Sequence, residues 1–557
     1  MGQYDFFLAS SLEKVFPEKR PVEAGPCLSA WPGTRASVQL VYYGAFFRDE
    51  GWIPEFTVEV SGGPCPAELY RVELIPSDFP SYPEADENYL TTEPGLFPDL
   101  LEPMEDGVIR PLNRQYRSIW ISWKLPPQTK GGSYSVCVRI SGANGSYSVQ
   151  RSCAMTLRVG SCPLAEQSLI HTQWFHADCL AQYYGVEPWS DGHWKTVENF
   201  IRFAAEECGV NTLLTPVFTP PLDTEVGGER LTVQLVEVVE EEGNYRFRFD
   251  RLEKWARICR TYGIENLEIA HLFTQWGATA TPKILAEKDG KLQRIFGWDV
   301  PSDSPAYRAF LESFLPALRK ALAGMGYDSR HVFFHISDEP GHDQLPAYRR
   351  ARAQAADLLS GCQVVDALSS LEFYRNGMVD CPVVAVDQAA PFLDAGVRKM
   401  WVYYCCAQNR QVPNRFFAMP SARNRIMGVL LYWNRVGGFL HWGYNFYNSQ
   451  LSRRPVDPYR VTHADYGFPS GDAFLVYPGP DGTVRPSLRA WVQTEGWVDM
   501  RALQTLESLG SRGAAEAVVR ELAEGSELSF TDYPRDANFL LKLREKVWEA
   551  LEAAYRA

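Results

Sequence analysis

The sequence predicts an α/β barrel of the TIM (β/α)8 type, preceded by an N-terminal all-β sandwich and followed by C-terminal helices. Three observations carry this reading. The first 160 residues alternate apolar and polar positions in short runs broken by Gly, Pro, Asn and Ser. After SCPLAEQ the rhythm becomes strand then helix, repeated eight times. The last fifty residues carry only helical periodicity. At 557 residues and 45% hydrophobic content the chain has material for more than one core. It divides into a β-sandwich over 1–160, a barrel over 161–510 and a helical segment over 511–557.

In the sandwich, the predicted strands are SVQLVYYGAFF, FTVEVSG, YRVELIP, SIWISWKLP, YSVCVRISG and YSVQRSCAMTLRVG. Residues 76–103 are rich in Pro and acid and read as a long surface loop. The barrel strands are SLIHTQWFH, NTLLTPVF, NLEIAHLF, VFFHIS, QVVDALS, PVVAVD, KMWVYYC and GFLHWGYNFY. Amphipathic stretches such as HWKTVENFIRFAAEECG and FDRLEKWARICRTYG lie between them, several ending on the Gly expected just past a helix. A last barrel helix is expected over 486–509. LTVQLVEVVEEEGNYRFRFD reads as a hairpin inserted after the second strand, and EAVVRELAEG and DANFLLKLREKVWEALEAAYRA as terminal helices.

Composition excludes several classes of partner. There are 55 basic against 68 acidic residues, a net charge of −13, and no basic stripe, so neither nucleic acid nor an anionic membrane is expected. No apolar run approaches the roughly 18 residues of a membrane span. The N-terminus lacks a basic region followed by an apolar core, which predicts a cytoplasmic protein. The twelve cysteines are scattered without C-x-x-C spacing and read as reduced and structural, with vicinal Cys405 and Cys406 the pair to watch. The signatures of zinc proteases, serine hydrolases and nucleotide-binding loops are missing. A metal on His171, His176 and Asp178 is disfavoured because that spacing does not converge on one face of a strand. No cofactor and no metal are expected.

HISDEP, residues 335–340, ends the fourth barrel strand, and barrel active sites form at that end. Successive strand side chains point to opposite faces, so Asp338 and Glu339 reach one ligand only if the chain bends at the rim. Pro340 cannot donate to the ladder and is expected to hold Glu339 extended. Helix capping is the simpler role open to either acid. The company at other strand ends favours a ligand: Trp174 in HTQWFHAD, His271 in HLFTQW, the pair Tyr403 and Tyr404, and Trp442, Tyr444 and Asn445 in HWGYNFYN. Rings suit the C–H faces of a sugar, and its hydroxyls need donors and acceptors. His271 and His335 are candidates for the hydroxyls, Trp442 for the floor, and Tyr403, Tyr404 or Asn445 for an acetamide oxygen. Trp174 and Tyr444 complete the predicted substrate-binding set. His335 alternates with Ser337, a position that also fits the barrel interior.

Most glycosidases place two carboxyls astride the scissile bond, roughly 5 Å or more apart. Neighbours in sequence seldom do so. They suit substrate-assisted hydrolysis, in which the 2-acetamido oxygen attacks the anomeric carbon. Asp338 is then the anion that orients the acetamide, and Glu339 the acid that protonates the leaving oxygen. Two carboxyls in one pocket push their pKa values apart, which keeps one protonated.

FFHISDEP, GGFLHWGYNFYNSQ and GDAFLVYPGPDGTVRPSLR resemble the core of glycoside hydrolase family 123 and of proteins with the domain of unknown function 4091. The resemblance spans about residues 165–505. It implies a retaining, substrate-assisted β-N-acetylgalactosaminidase whose Asp-Glu pair maps onto Asp338 and Glu339. The partner it implies is a carbohydrate, the terminal amino sugar of a glycan or glycoconjugate. Two alternatives stay open: a glycosidase of the same fold acting on a sugar without an acetamide, and a non-catalytic sugar-binding barrel. Nothing in the sequence sets the oligomeric state.

Overall fold

The computed structural model describes residues 3–46, 51–523 and 528–556. Phe47, the end of the first predicted strand run, and residues 524–525, the end of a predicted C-terminal helix, lie outside them.

The chain forms two compact units: Met1–Gln167 with Pro413–Asn434 and Arg485–Ala557, and Ser168–Val412 with Arg435–Val484. The first contains two five-stranded sheets. In one, Arg35–Ala45 lies between Gln3–Ser10 and Tyr116–Lys124, and Glu68–Ser77 and Gly95–Pro103 follow. In the other, Gly132–Asn144 pairs with Tyr147–Val159 on one side and Phe56–Gly62 on the other. The strands alternate, and inward residues such as Leu40, Phe56, Ile119, Ile121, Val138 and Leu157 are buried in one cluster.

Of residues 76–103, read from composition as one long surface loop, 78–94 carry no strand or helix, but the loop is shorter than predicted because its last third is strand. Gly95–Pro103 is a strand paired antiparallel with Glu68–Ser77. Its acids misled the reading because they are buried ion partners: Asp99 meets Arg489 and Asp86 meets Arg423, each pair within 2.9 Å and almost fully buried.

In the second unit eight parallel strands close a barrel: Ile170–Gln173, Thr212–Thr215, Asn266–Ile269, Val332–Phe334, Gln363–Ala367, Cys381–Ala385, Trp401–Tyr403 and Gly438–His441. All eight predicted strands are present, and Ile170 opposite Gly438 closes the ring. The first barrel strand is followed by the helices Ala177–Tyr184 and Asp191–Cys208, the second capped by Ser190, whose side chain accepts from His193 N. The predicted hairpin, Glu237–Glu241 with Asn244–Arg248, is part of a four-stranded sheet completed by Ile284–Lys288 and Lys291–Phe296. The helices after the last two strands, Ser421–Trp433 and Leu488–Leu509, group with the first unit.

Candidate active site

The fourth strand ends at Phe334, and the next four residues are held by bonds outside the ladder. The backbone N–H groups of Leu272, Phe273 and Trp276 donate to the carbonyls of His335, Ile336 and Asp338, each at 3.0 Å. Ser337 Oγ donates to Thr274 O at 2.8 Å. Ile336 N donates to Asp366 Oδ1 at 3.0 Å. This anchoring overrides the preference Pro340 imposes. Glu339 is not extended; its φ is 43°, in the left-handed region. Trp276 (54°) and Asp223 (41°) are left-handed as well. Three strained non-glycine residues around one cavity cost of order 1–3 kcal/mol each and persist only where their surroundings over-determine them. Neither acid caps a helix, since Gln344 precedes the helix Leu345–Ala355.

The bend turns both carboxyls into a cavity of about 260 Å³. Its walls include Trp174, Tyr403 and Trp442 from strands one, seven and eight, with Leu222, Trp276, Leu440 and Phe468 adding apolar surface. Asp223, Gln275 and Gln450 add polar groups, and Cys405 and Cys406 complete one side. Tyr403 OH donates to Glu339 Oε1 at 2.5 Å. Trp442 Nε1 donates to Asp472 Oδ2 at 2.9 Å, which fixes the plane of its ring. The loops after strands two and eight are tied at Asp223, whose Oδ2 accepts from Leu451 N (2.9 Å) and whose carbonyl accepts from Ser452 Oγ (2.6 Å). A groove of about 960 Å³ between Asp250–Thr261 and Pro305–Gly324 is larger but has no pair of acids.

Both acids line the cavity; Asp338 is half-buried and Glu339 is exposed. Burial pushes the Asp338 carboxyl well above the ordinary range, and the negative charge of Glu339 adds to this; Asp366 and Asp223 push the same way, and His335 opposes them. Burial also raises Glu339, against which the Tyr403 hydroxyl acts. Asp223 is pushed up by burial to about 6. In one cavity each carboxyl's charge raises the cost of ionising the other, which favours a single proton between the two.

Five predicted site residues line the cavity: Asp338, Glu339, Trp174, Tyr403 and Trp442. His335 and His271 lie buried among groups of the barrel interior. His335 is held between Glu268 Oε1 (3.0 Å) and Asp366 Oδ1 (3.3 Å). His271 stacks on it with ring centroids 4.4 Å apart. Tyr404, Tyr444 and Asn445 do not line the cavity. Tyr404 packs on Phe439 and His441, Tyr444 OH donates to Phe200 O, and Asn445 clasps the backbone of His176. Asp223, Gln275, Trp276, Gln450 and Phe468 were not singled out in the sequence. Gln275 and Trp276 stand in the HLFTQW stretch that drew attention to His271.

The disfavoured metal triad is filled by a cation of the protein's own: Arg230 binds Asp178 at 2.7 Å and His176 Nδ1 at 3.0 Å, while His171 turns to Gly209 O. His271, His335 and Asp366 bring ligand-type atoms within 4.8 Å of one another. Both His335 nitrogens are engaged by Glu268 and Asp366, and His271 only stacks on the His335 ring, neither of its own nitrogens having a hydrogen-bond partner among the described residues. Among the described residues no helix is long and apolar enough to cross a membrane.

The family model for the glycoside hydrolase 123 catalytic domain matches residues 174–506. The chain belongs to glycoside hydrolase family 123. As a family 123 glycoside hydrolase it is an enzyme acting on carbohydrate. It is similar, at 13% identity and a TM-score of 0.70, to a family 123 glycoside hydrolase from Clostridium perfringens described for glycolipid glycan hydrolysis, over 99% of this chain and 97% of that one. At that identity the likeness shows the fold. It also matches β-glucuronidase 3 of Bacteroides uniformis at 11% identity, over 85% of this chain and 51% of that one, with a TM-score of 0.30. No curated protein matches at a significant level.

Proposed function

We propose that this family 123 enzyme removes terminal β-linked N-acetylgalactosamine by substrate-assisted, retaining hydrolysis. The observation that carries the reading is that sequence-adjacent carboxyls, Asp338 and Glu339, share one small aromatic cavity. Its volume, about 260 Å³, falls below the roughly 300–1,000 Å³ of sites for larger ligands, which suits one sugar ring and an exo-acting enzyme. Trp174 and Trp442 offer faces to that ring; Asp223, Gln275 and Gln450 offer partners to its hydroxyls.

In the proposed reaction the acetamide oxygen attacks C1 and forms an oxazolinium ring. Asp338, the deeper carboxyl, accepts from the acetamide N–H and stabilises the charge that develops there. Glu339, at the mouth, gives its proton to the leaving oxygen and then takes one from the water that opens the ring. The free site favours the shared proton on Asp338, and an acetamide N–H presented to that carboxylate moves it to Glu339.

A panel of aryl β-glycosides tests this. Aryl β-GalNAc is expected to turn over with retention, and a GalNAc-thiazoline to inhibit. Asp338→Asn should lose at least about a hundredfold whatever the leaving group. Glu339→Gln should lose as much on poor leaving groups and far less on activated ones. Turnover of glycosides lacking the acetamide, with indifference to thiazoline, would replace this reading with the first alternative.

A further inference from the structure

Trp276 lines the cavity that holds the acid pair, yet 41% of its surface stays exposed. Single exposed rings are ordinary on a protein surface and by themselves carry no function. This one is held with unusual firmness. Trp276 has a φ of 54°, Gly277 of 116° and Ala278 of 53°; positive φ is rare for non-glycine residues and is kept only where the surroundings impose it. The loop is closed behind them, where Thr274 N donates to Ala280 O at 3.1 Å and Ala280 N donates to Thr274 Oγ1 at 3.2 Å. It is also fastened to the segment that carries the acids. Trp276 N donates to Asp338 O at 3.0 Å, and Gly277 packs so closely on Gln344 that a Cβ there would lie 3.1 Å from its side chain.

The loop after the eighth strand repeats the arrangement. Ala464 (48°), Asp465 (59°) and Tyr466 (63°) are three more successive residues with positive φ. Tyr466 is 64% exposed, and its ring packs on His463 with centroids 4.4 Å apart. This loop joins the cavity through Phe468, which lines it, and through a second lining residue, Gln450, whose N donates to Ala464 O at 2.9 Å.

We propose that Trp276 is a specificity-determining residue for the leaving group: its ring is the platform of a subsite that takes a second sugar, the one to which the terminal amino sugar is linked, and Tyr466 contributes a second ring to it. This deepens the proposed function and rests on it. The cavity, about 260 Å³, takes one sugar ring, so whatever that ring is linked to lies beyond the mouth. The leaving oxygen must come to Glu339, and the residue before Glu339 is the one to which Trp276 is bonded. A pyranose has a C–H face that covers an indole, and covering it takes exposed apolar surface out of water. A platform already locked by its backbone loses little freedom on binding, which is what the strained loop secures. A methyl leaving group is too small to use it.

The test is a ratio: kcat/KM on β-1,3- and β-1,4-linked GalNAc–galactose disaccharides, divided by kcat/KM on methyl β-GalNAc. Such a ratio does not depend on how much of a variant is folded. In Trp276→Ala, which keeps the backbone bond to Asp338, it should fall at least about tenfold for the disaccharide the wild type prefers, chiefly through KM, because binding common to ground and transition states is lost. Trp276→Phe should restore most of the ratio, and Tyr466→Ala should lower it by a smaller factor. Equal losses on the disaccharides and the methyl glycoside in Trp276→Ala would show that the ring serves only the shape of the cavity, and would overturn the inference while the proposed function stands. A wild type inert on every β-GalNAc compound would overturn both.

Discussion

Tyr403 shows how one hydroxyl sets the working range of the site. It is buried, and its short bond to Glu339 is the contact that opposes the rise burial imposes on that acid. In the proposed reaction Glu339 acts in its protonated form, so its pKa is expected to set the alkaline limb of the rate. In Tyr403→Phe the opposing donor is lost, Glu339 rises further, and the alkaline limb should shift upward by about one unit. This follows because a hydrogen bond to a charged group contributes ~1.5–3 kcal/mol and one unit corresponds to ~1.4 kcal/mol. The maximal rate should fall about tenfold. A downward shift would show that Tyr403 stabilises the acid form instead. At this scale the sequence was legible where rim position and chemistry coincide: the acid pair, Trp174, Tyr403 and Trp442. It was not legible where side-chain direction decides. Tyr403 and Tyr404 are equal as composition, but alternation sends the second toward Phe439. Asp223 sits in a Pro- and Gly-rich stretch with no periodicity, and its role depends on a contact with Leu451 far along the chain.

Among elements, the helices Ser421–Trp433 and Leu488–Leu509 cross in close backbone contact. A Cβ on Gly428 would lie 1.9 Å from Gly496 O, and one on Gly496 would lie 2.5 Å from Arg425 O. Small residues on both helices let the backbones touch, and beside them Arg425 binds Glu495 and Asp499. Gly428→Ala forces the helices apart and should lower stability by about 1–3 kcal/mol, read as the urea midpoint. Gly324→Ala, where no atom lies within 4 Å, should be neutral or slightly stabilising. Equal effects of the two would show that the crossing is not tight. The eight barrel strands were readable because each is a short apolar run. The hairpin Ile284–Lys288 with Lys291–Phe296 was missed although its signal was present: Asp289-Gly290 is a turn dipeptide, and both residues take positive φ. Gly95–Pro103 was hidden because its acids imitate a solvated loop.

For the molecule as a whole, the order of the sequence and the order of the units differ. The chain passes between its units after residues 167, 412, 434 and 484, so two helices that follow barrel strands belong with the β-rich part. Their arginines depend on it. Arg423 and Asp86 are 0% and 2% exposed, and Arg489 and Asp99 are each 1% exposed. The backbone is shared too, since Leu101 N donates to Pro486 O. Breaking a buried ion pair by removing one partner costs about 3–5 kcal/mol, and a typical domain has only about 5–15 kcal/mol in hand. A chain of residues 161–557 leaves both guanidinium groups without these carboxylates, so it should be insoluble or unfold without a cooperative transition. Asp99→Asn in the full chain isolates one of the two costs and should destabilise by about 3–5 kcal/mol while leaving KM unchanged, because Asp99 does not line the cavity. Recovery of a soluble 161–557 chain that melts cooperatively near the full-length midpoint would show that the sandwich is an appendage and that the helices stand without it.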